Sequence, residues 1–148
     1  MKFVDVTAER VRFIGNNLRP ADTTEVGLSH GCNAMTAVID SWRGATFCKV
    51  IEGDNGNPVG ISGLCGSRIF LLGTPELTAT KNHRQLLISQ GRDWVQKLIQ
   101  IAQGPVHNWA YAKNRTALKY LKHLGFEISR PAPYGPSCAL FCHFWRDF

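Results

Sequence analysis

The chain has 148 residues, of which 44% are hydrophobic and 19% are charged, which is typical of a soluble globular protein. This length fits a single domain spanning residues 1–148, and no apolar run approaches the ~20 residues needed to cross a bilayer. The net charge of +6 permits weak attraction to nucleic acid or to acidic partners.

The N-terminal segment and the cysteines are typical of a protein that stays in a reducing compartment. Asp5 lies inside what would have to be the apolar part of a signal peptide, so we expect no secretory signal. The five cysteines are odd in number and include no CxxC pair, which favours reduced thiols. Cys138, Cys142 and His143 are the only near-candidates for a zinc site, and their spacing predicts no metal.

The first third of the chain predicts a strand and then helices. Lys2 to Val6 alternates polar and apolar residues, as a short strand does. Thr7 can cap a helix on which Val11, Ile14 and Leu18 recur at helical spacing. The polar segment from Asp22 to Gly31 predicts a short helical piece or a loop. A second full helix is expected from near Asn33 to Gly44.

The middle of the chain predicts three antiparallel strands, at residues 46–52, 59–65 and 68–72. They are joined by turns at Asp54-Asn55-Gly56-Asn57 and Gly66-Ser67, where glycine and asparagine tolerate positive φ. The continuous apolar run in the third strand indicates a central strand covered on both faces.

The last third alternates helices and strands. A long amphipathic helix ends at Gly104-Pro105, and a strand follows at residues 106–112. Asn114 caps a second helix that Gly125 closes. The remainder predicts an extended piece at 126–129, a proline-rich loop at 130–137 and a last strand at 138–144. This order predicts an α/β (α+β) fold with a mixed, mostly antiparallel sheet and helices on both faces.

The segment Asn114 to Phe126 resembles the signature of the GNAT N-acetyltransferase fold: an asparagine, an alanine three residues later, and Gly-Phe closing the helix. The asparagine caps the helix, the alanine permits close approach to the sheet, and the glycine provides a left-handed exit. The element order is also that of this fold.

A narrower resemblance covers roughly residues 19 to 128. Arg19-Pro20-Ala21-Asp22, the strand ending Leu71-Leu72-Gly73-Thr74, Arg92 with Trp94-Val95, and His107-Asn108-Trp109 look like small GNAT-like proteins of short-tailed bacteriophages. Some of those are internal virion proteins. The resemblance implies a location in the host cytoplasm or in the virion.

The resemblance also implies acetyl-CoA or CoA as a possible cofactor, with its pyrophosphate on backbone N–H groups at the start of the long helix. That loop is glycine-rich in the family, whereas no glycine follows Thr74 here until the helix is under way. Charged side chains could replace the missing backbone groups, or they could form a solvated first helical turn. The residues implied in cofactor binding are Leu72, Thr74, Lys81, Asn82, His83, Arg84 and Asn114.

Acetyl transfer to an amine also needs an acid and a base. Many family members have a tyrosine seven residues after the capping asparagine, where this chain has Leu121; Tyr120 is one residue away and is the candidate acid. Glu76 is the candidate base and Glu52 the alternative, and either could be an ordinary surface carboxylate. His107 could face the cleft or be a satisfied sheet residue.

The sequence thus keeps the structural signature of the family, and it lacks the glycine-rich loop for the pyrophosphate and the tyrosine acid. It predicts a phage GNAT-fold accessory or internal virion protein with weakened or lost acetyl-CoA chemistry. The alternative is an active N-acetyltransferase that modifies a host or phage protein. A third possibility is a module that binds CoA as a structural ligand. In each case a protein partner or protein substrate is expected.

Overall fold

The computed structural model describes residues 1–147, which form an eight-stranded sheet and five α-helices. The helices are α1 (Ala8–Asn16), α2 (Pro20–His30), α3 (Ala34–Gly44), α4 (Lys81–Ala102) and α5 (Arg115–His123). The strands are β1 (Lys2–Val4), β2 (Phe47–Glu52), β3 (Pro58–Cys65), β4 (Arg68–Gly73), β5 (Val106–Tyr111), β6 (Glu127–Ile128), β7 (Ala132–Tyr134) and β8 (Ala139–Arg146). A 3₁₀ turn, Pro75–Thr78, joins β4 to α4.

The sheet has the strand order β1-β2-β3-β4-β5-β8-β6, and β7 pairs with β8. In the described residues β4 and β5 are parallel and the other pairs are antiparallel, which confirms the predicted mixed, mostly antiparallel sheet. The parallel pair requires a crossover, and α4 supplies it.

Helices cover both faces of the sheet. Ile61 of β3 is buried with Val11 and Ile14 of α1 and Val38 of α3. The next residue, Ser62, accepts a hydrogen bond of 2.9 Å from the indole of Trp94 on α4. Since successive strand residues point to opposite faces, α1 and α3 lie on one face and α4 on the other. The helix α5 shares the core of α4, through Leu118, Tyr120 and Leu121.

Several predicted bounds change in the structure. The segment from Asp22 to Gly31, expected as a helical piece or a loop, belongs to an eleven-residue helix, so three helices and not two precede β2. Pro20 fits the first turn because its missing N–H is not needed there, and Gly31 ends the helix at φ 66°. The loop predicted at 130–137 contains β7, and β8 continues to Arg146 because it pairs with β5 along that length.

The segment with the GNAT signature is built as predicted. The side-chain oxygen of Asn114 accepts the N–H of Ala117 at 3.2 Å and caps α5. Gly125 leaves the helix at φ 88°, and Phe126 returns to the core with 6% exposure. This corner places α5 beside the far end of β5.

Candidate functional site

The strands β4 and β5 separate after their first residues. Arg68 and His107 form the one paired position of these two strands in the described chain. Next to it, the side-chain amide of Asn108 donates to the carbonyl of Ile69 at 2.7 Å and accepts the N–H of Trp109 at 2.9 Å. A side chain therefore replaces backbone pairing here. We call the space between the two strands beyond Asn108 the fork.

The first turns of α2 fill the fork. The backbone N–H of Arg19 donates to the carbonyl of Gly73 at 2.9 Å, and the N–H of Gly73 donates to the carboxylate of Asp22 at 2.8 Å. On the opposite arm, the N–H of Tyr111 donates to the carboxylate of Glu25 at 3.2 Å. Asp22 and Glu25 are three residues apart, so they share one side of the helix. Thus α2 binds the ends of both strands.

The fork contains a compact network of charged groups. The guanidinium of Arg19 donates to Asp22 at 2.8 Å, and the Asp22 side chain is 7% exposed. Burial raises the pKa of Asp22, although Arg19 and the Gly73 N–H oppose the rise. Burial raises the pKa of Glu25 to about 7, with the charge of Asp22 adding to the effect. Glu25 therefore titrates near neutral pH.

Two of the predicted site residues border this network. Asn114 caps α5 and lies near Glu25, where its side chain opposes the rise in the pKa of that carboxyl. The hydroxyl of Tyr120 donates to the carbonyl of Leu87 on α4 at 2.9 Å, and burial raises the pKa of Tyr120 to about 12. Gly91 permits this approach, because a Cβ there would lie 2.7 Å from the Tyr120 oxygen. The Tyr120 proton is thus directed at α4.

The end of β4 is packed into the body of the protein. Leu72 is 9% exposed and belongs to the core under α1 and α3. Thr74 donates its backbone N–H to the carbonyl of Val59 at 2.9 Å, back toward β3. The completely buried Leu77 of the 3₁₀ turn packs over Gly60 and Gly73, and a Cβ at Gly73 would clash with it. This end of the site is closed by apolar contacts.

His83 fixes the start of α4. Its backbone N–H donates to the capping hydroxyl of Thr80. The imidazole Nδ1 lies 2.8 Å from the carbonyl of Glu76, and Nε2 lies 3.1 Å from the carboxylate of Asp54. Since both partners accept hydrogen bonds, the doubly protonated imidazolium satisfies both. These two partners raise the pKa of His83. Its ring is therefore directed away from solvent, toward the β2–β3 turn.

The remaining predicted residues are dispersed around α4 and the β2–β3 turn. Lys81 and Asn82 are exposed on the first turn of α4, and the Arg84 guanidinium donates to the carbonyl of Thr78 at 3.0 Å. The carboxylate of Glu76 accepts the side-chain amide of Asn55 at 2.9 Å. Glu52 forms salt bridges with Lys2 and Arg10 at 3.5 and 3.7 Å. Neither glutamate contacts the fork through these bonds.

His107 lies at the closed end of the fork and pairs with His143, with Nδ1 and Nε2 2.9 Å apart. Burial lowers the pKa of His107, and His143 and Arg68 add to the effect. The structure brings together no group of three or more metal-ligating side chains among residues 1–147. In the same residues the five cysteines form no disulfide, and no helix is long and apolar enough to cross a membrane.

Sequence reasoning missed the residues that fill the fork. Asp22 and Glu25 lie in the segment that was expected to be loop or short helix. Proline at the first helical position, with acids two and five residues later, was the available signal for a helix start. Nothing in the neighbouring sequence indicates that Asp22 binds β4 at a residue 51 positions later, or that Glu25 binds β5 at a residue 86 positions later.

Comparisons with known proteins agree with this architecture. No protein-family model and no curated protein matches the sequence. Solved structures do match. Spermidine N-acetyltransferase of Vibrio cholerae, in complex with CoA and spermine, superposes with a TM-score of 0.67 at 10% identity, over 99% of this chain and 94% of that one. The fold is that of the GNAT acetyltransferases.

Two further structures support the same fold. A GNAT superfamily phosphinothricin acetyltransferase of Sinorhizobium meliloti, in complex with AcCoA, has a TM-score of 0.64 at 12% identity, over 99% of this chain and 88% of that one. Ard1 of Thermoplasma volcanium has a TM-score of 0.66 at 16% identity, over 99% and 96% of the two chains. At these identities the likeness establishes the GNAT fold of this chain, and activity has to be argued from the site.

Proposed function

We propose that this chain is a bacteriophage accessory protein that keeps the GNAT fold while its acetyl-CoA chemistry is weakened or lost. The observation that carries the proposal is the occupied fork. The backbone groups at the ends of β4 and β5 that an extended cofactor arm would need are bonded to Arg19, Asp22 and Glu25. Any ligand entering the fork has to displace a satisfied network that includes a salt bridge.

The start of α4 supports the same proposal. A pyrophosphate site needs several backbone N–H groups pointing at one place, and glycines usually let the backbone approach the phosphates. Here the connection is a 3₁₀ turn that begins with Pro75, which has no N–H, and Thr80 already caps the helix. Lys81 is exposed nearby, but a lone flexible ammonium is a weak substitute. The residues present do not fit acetyl-CoA in this conformation.

The phage assignment rests on the sequence resemblance described above, from Arg19-Pro20-Ala21-Asp22 to Asn114–Phe126. The resemblance to proteins of which some are internal to the virion also implies a protein partner. We therefore propose a protein partner of the virion or of the infected cell, and a location in the host cytoplasm or virion. The neighbours' ligands, CoA, AcCoA and spermine, belong to those proteins.

Thermal unfolding with and without millimolar acetyl-CoA or CoA tests the proposal. A ligand present at 100 times its dissociation constant stabilises the folded state by about 2.7 kcal/mol, which raises the Tm of a domain of this size by several degrees. We expect no shift. ADP, which has the pyrophosphate and lacks the pantetheine arm, controls for binding at the start of α4 alone. A shift with acetyl-CoA together with amine-dependent turnover contradicts the proposal.

A second candidate is an acetyltransferase that uses Glu25 as its base. The specific observation is a carboxylate in the fork whose pKa is about 7, which suits the acceptance of a proton from an amine at neutral pH. For this function Glu25 has to release the N–H of Tyr111 while it stays buried in the fork, because that burial raises its pKa. Turnover that falls at least 100-fold in Glu25→Gln with unchanged acetyl-CoA binding would support this candidate; absence of turnover in the parent protein rejects it.

A further inference from the structure

The positive charge of the chain is concentrated in one segment. Residues 94–126 contain five lysines and arginines and no acidic residue, a net charge of +5. The rest of the chain has twelve basic and eleven acidic residues, a net charge of +1, which together with the segment gives the total of +6. Most of the excess charge therefore comes from less than a quarter of the sequence.

Four of the five cations surround α5. Arg115, Lys119 and Lys122 lie at spacings of four and three residues, so they form one strip within about 60° of the helix circumference. Lys113 precedes the helix, and Arg92 of α4 joins its end by donating to the carbonyl of His123 at 2.9 Å. We call these five residues the α5 basic face. All five are exposed, and no salt bridge in residues 1–147 involves any of them.

Of the twelve lysines and arginines outside this face, four form salt bridges in residues 1–147, so it is the clustering of its cations that distinguishes the α5 basic face. Lys2, Arg10, Arg19 and Lys49 all contact carboxylates at 2.7–3.7 Å. Mutual repulsion along α5 costs stability, since like charges four residues apart on a helix are unfavourable. An external polyanion would remove that cost.

The chemistry of the face identifies the kind of polyanion. The large apolar residues of α5, Leu118, Tyr120 and Leu121, are partly buried against the core, so the exposed side has no large apolar group to insert into a bilayer. It also has no exposed phenylalanine, tyrosine or tryptophan, which protein interfaces use as anchors and single-stranded nucleic acids use for base stacking. What remains is a row of cations suited to regularly spaced phosphates.

We propose that the α5 basic face binds the phosphate backbone of duplex nucleic acid without sequence preference. The surface lies outside the fork and does not depend on the function proposed above. Four phosphate contacts release counterions and give a slope of about −3.6 for the logarithm of the binding constant against the logarithm of salt concentration. Between 50 and 200 mM NaCl the affinity then falls about 150-fold.

Fluorescence anisotropy with two labelled 24-base-pair DNA duplexes of unrelated sequence tests this. We expect similar affinities for both duplexes and the steep salt dependence above. In Lys119→Gln/Lys122→Gln two phosphate contacts are lost, so the salt dependence becomes shallower, with a slope of about −1.8. The dissociation constant at 50 mM NaCl rises at least tenfold.

The matched control is Arg12→Gln/Arg43→Gln. Both residues are exposed and form no salt bridge or side-chain hydrogen bond in residues 1–147, and the double variant changes the net charge by the same amount. Its affinity and slope should stay close to those of the parent. An equal loss in this control would mean that total charge and not the α5 basic face governs binding, and the proposal would fail.

Other outcomes also overturn it. These are the absence of saturable duplex binding at 50 mM NaCl, tighter binding to a single strand of the same length, and preferential binding to poly-glutamate or to vesicles with 30% phosphatidylserine. Each would assign the basic face to a different occupant. Equal thermal unfolding of parent and variants checks that the substitutions leave the fold intact.

Discussion

The fork and the start of α4 are closed by different kinds of interaction. The fork is filled with ionisable groups: Arg19, Asp22 and Glu25 bind backbone groups of β4 and β5. The start of α4 is closed by the completely buried Leu77, and by His83 between two acceptors. The first closure depends on protonation and on the position of one helix. The second depends largely on apolar packing, which is insensitive to pH.

This difference bears on which part of the site could reopen. A polar ligand can take over hydrogen bonds that charged side chains now make in the fork. A buried leucine over two glycines can be moved only by repacking the core. If any part of the GNAT cleft still admits a ligand, it is the fork. We expect the start of α4 to stay closed.

The largest expected effect is at the apolar closure. Leu77→Ala should lower the free energy of unfolding by about 4 kcal/mol, because the side chain is fully buried and the glycines beneath it offer nothing to fill the cavity. Urea unfolding measures this. Leu140→Ala, at a leucine that is 50% exposed, is the matched control and should change stability little. A loss below about 1 kcal/mol in Leu77→Ala would mean that the turn is not a core element.

The next effect concerns the fork and depends on pH. The pKa of Glu25 is about 7 in the folded protein, above its unfolded value near 4.5, so the folded state binds the extra proton. The stability that Glu25 contributes is therefore present below about pH 4.5 and is lost as the pH rises through about 7. Glu25→Gln can still accept the Tyr111 N–H and cannot ionise.

We expect Glu25→Gln to match the parent near pH 5 and to be more stable by up to about 3 kcal/mol near pH 8. Chemical unfolding at both pH values measures the difference. Glu127→Gln, which removes one exposed carboxylate of β6, controls for the change in net charge. A Glu25→Gln variant that is less stable than the parent at pH 8 would show that the ionised carboxylate stabilises the fork, contrary to the burial argument.

The corner around α5 could be predicted from the sequence because its determinants are local. The cap of Asn114, the exit at Gly125 and the return of Phe126 lie within thirteen residues, and each is a backbone preference of one residue type. The meander of β2, β3 and β4 was predictable for the same reason: its turns carry asparagine and glycine.

The contents of the fork and the contacts of His83 at the start of α4 could not be predicted, because they depend on residues distant in sequence. Glu25 lies in a polar segment without helical amphipathicity, which does not predict a buried helix face. The side of the helix that carries Glu25 is polar because this carboxylate binds a backbone N–H group. His83 was expected near the cofactor. Its partner Asp54 is 29 residues away in the β2–β3 turn, and only the fold brings them together. The site roles of the predicted residues remain hypotheses for the ligand experiments.

The smallest expected effect tests whether His83 contributes a pH-sensitive part to the second closure. Its folded pKa is raised by the Glu76 carbonyl and by Asp54, so its contribution is present below the unfolded value of 6.5 and is lost as the pH rises through the folded pKa. Asp54→Asn should therefore destabilise the protein more at pH 5.5 than at pH 9, by less than the effect of Glu25→Gln.

The same substitution in a His83→Gln background separates this pair from the contact of Asp54 with the N-terminal ammonium at 3.5 Å. In that background the effect of Asp54→Asn should no longer depend on pH through His83. If its pH dependence stays the same, the imidazolium is not the source. The start of α4 would then be held by Leu77 and by contacts that do not involve the imidazolium, such as the Thr80 cap, and the two closures would differ even more sharply in their response to pH.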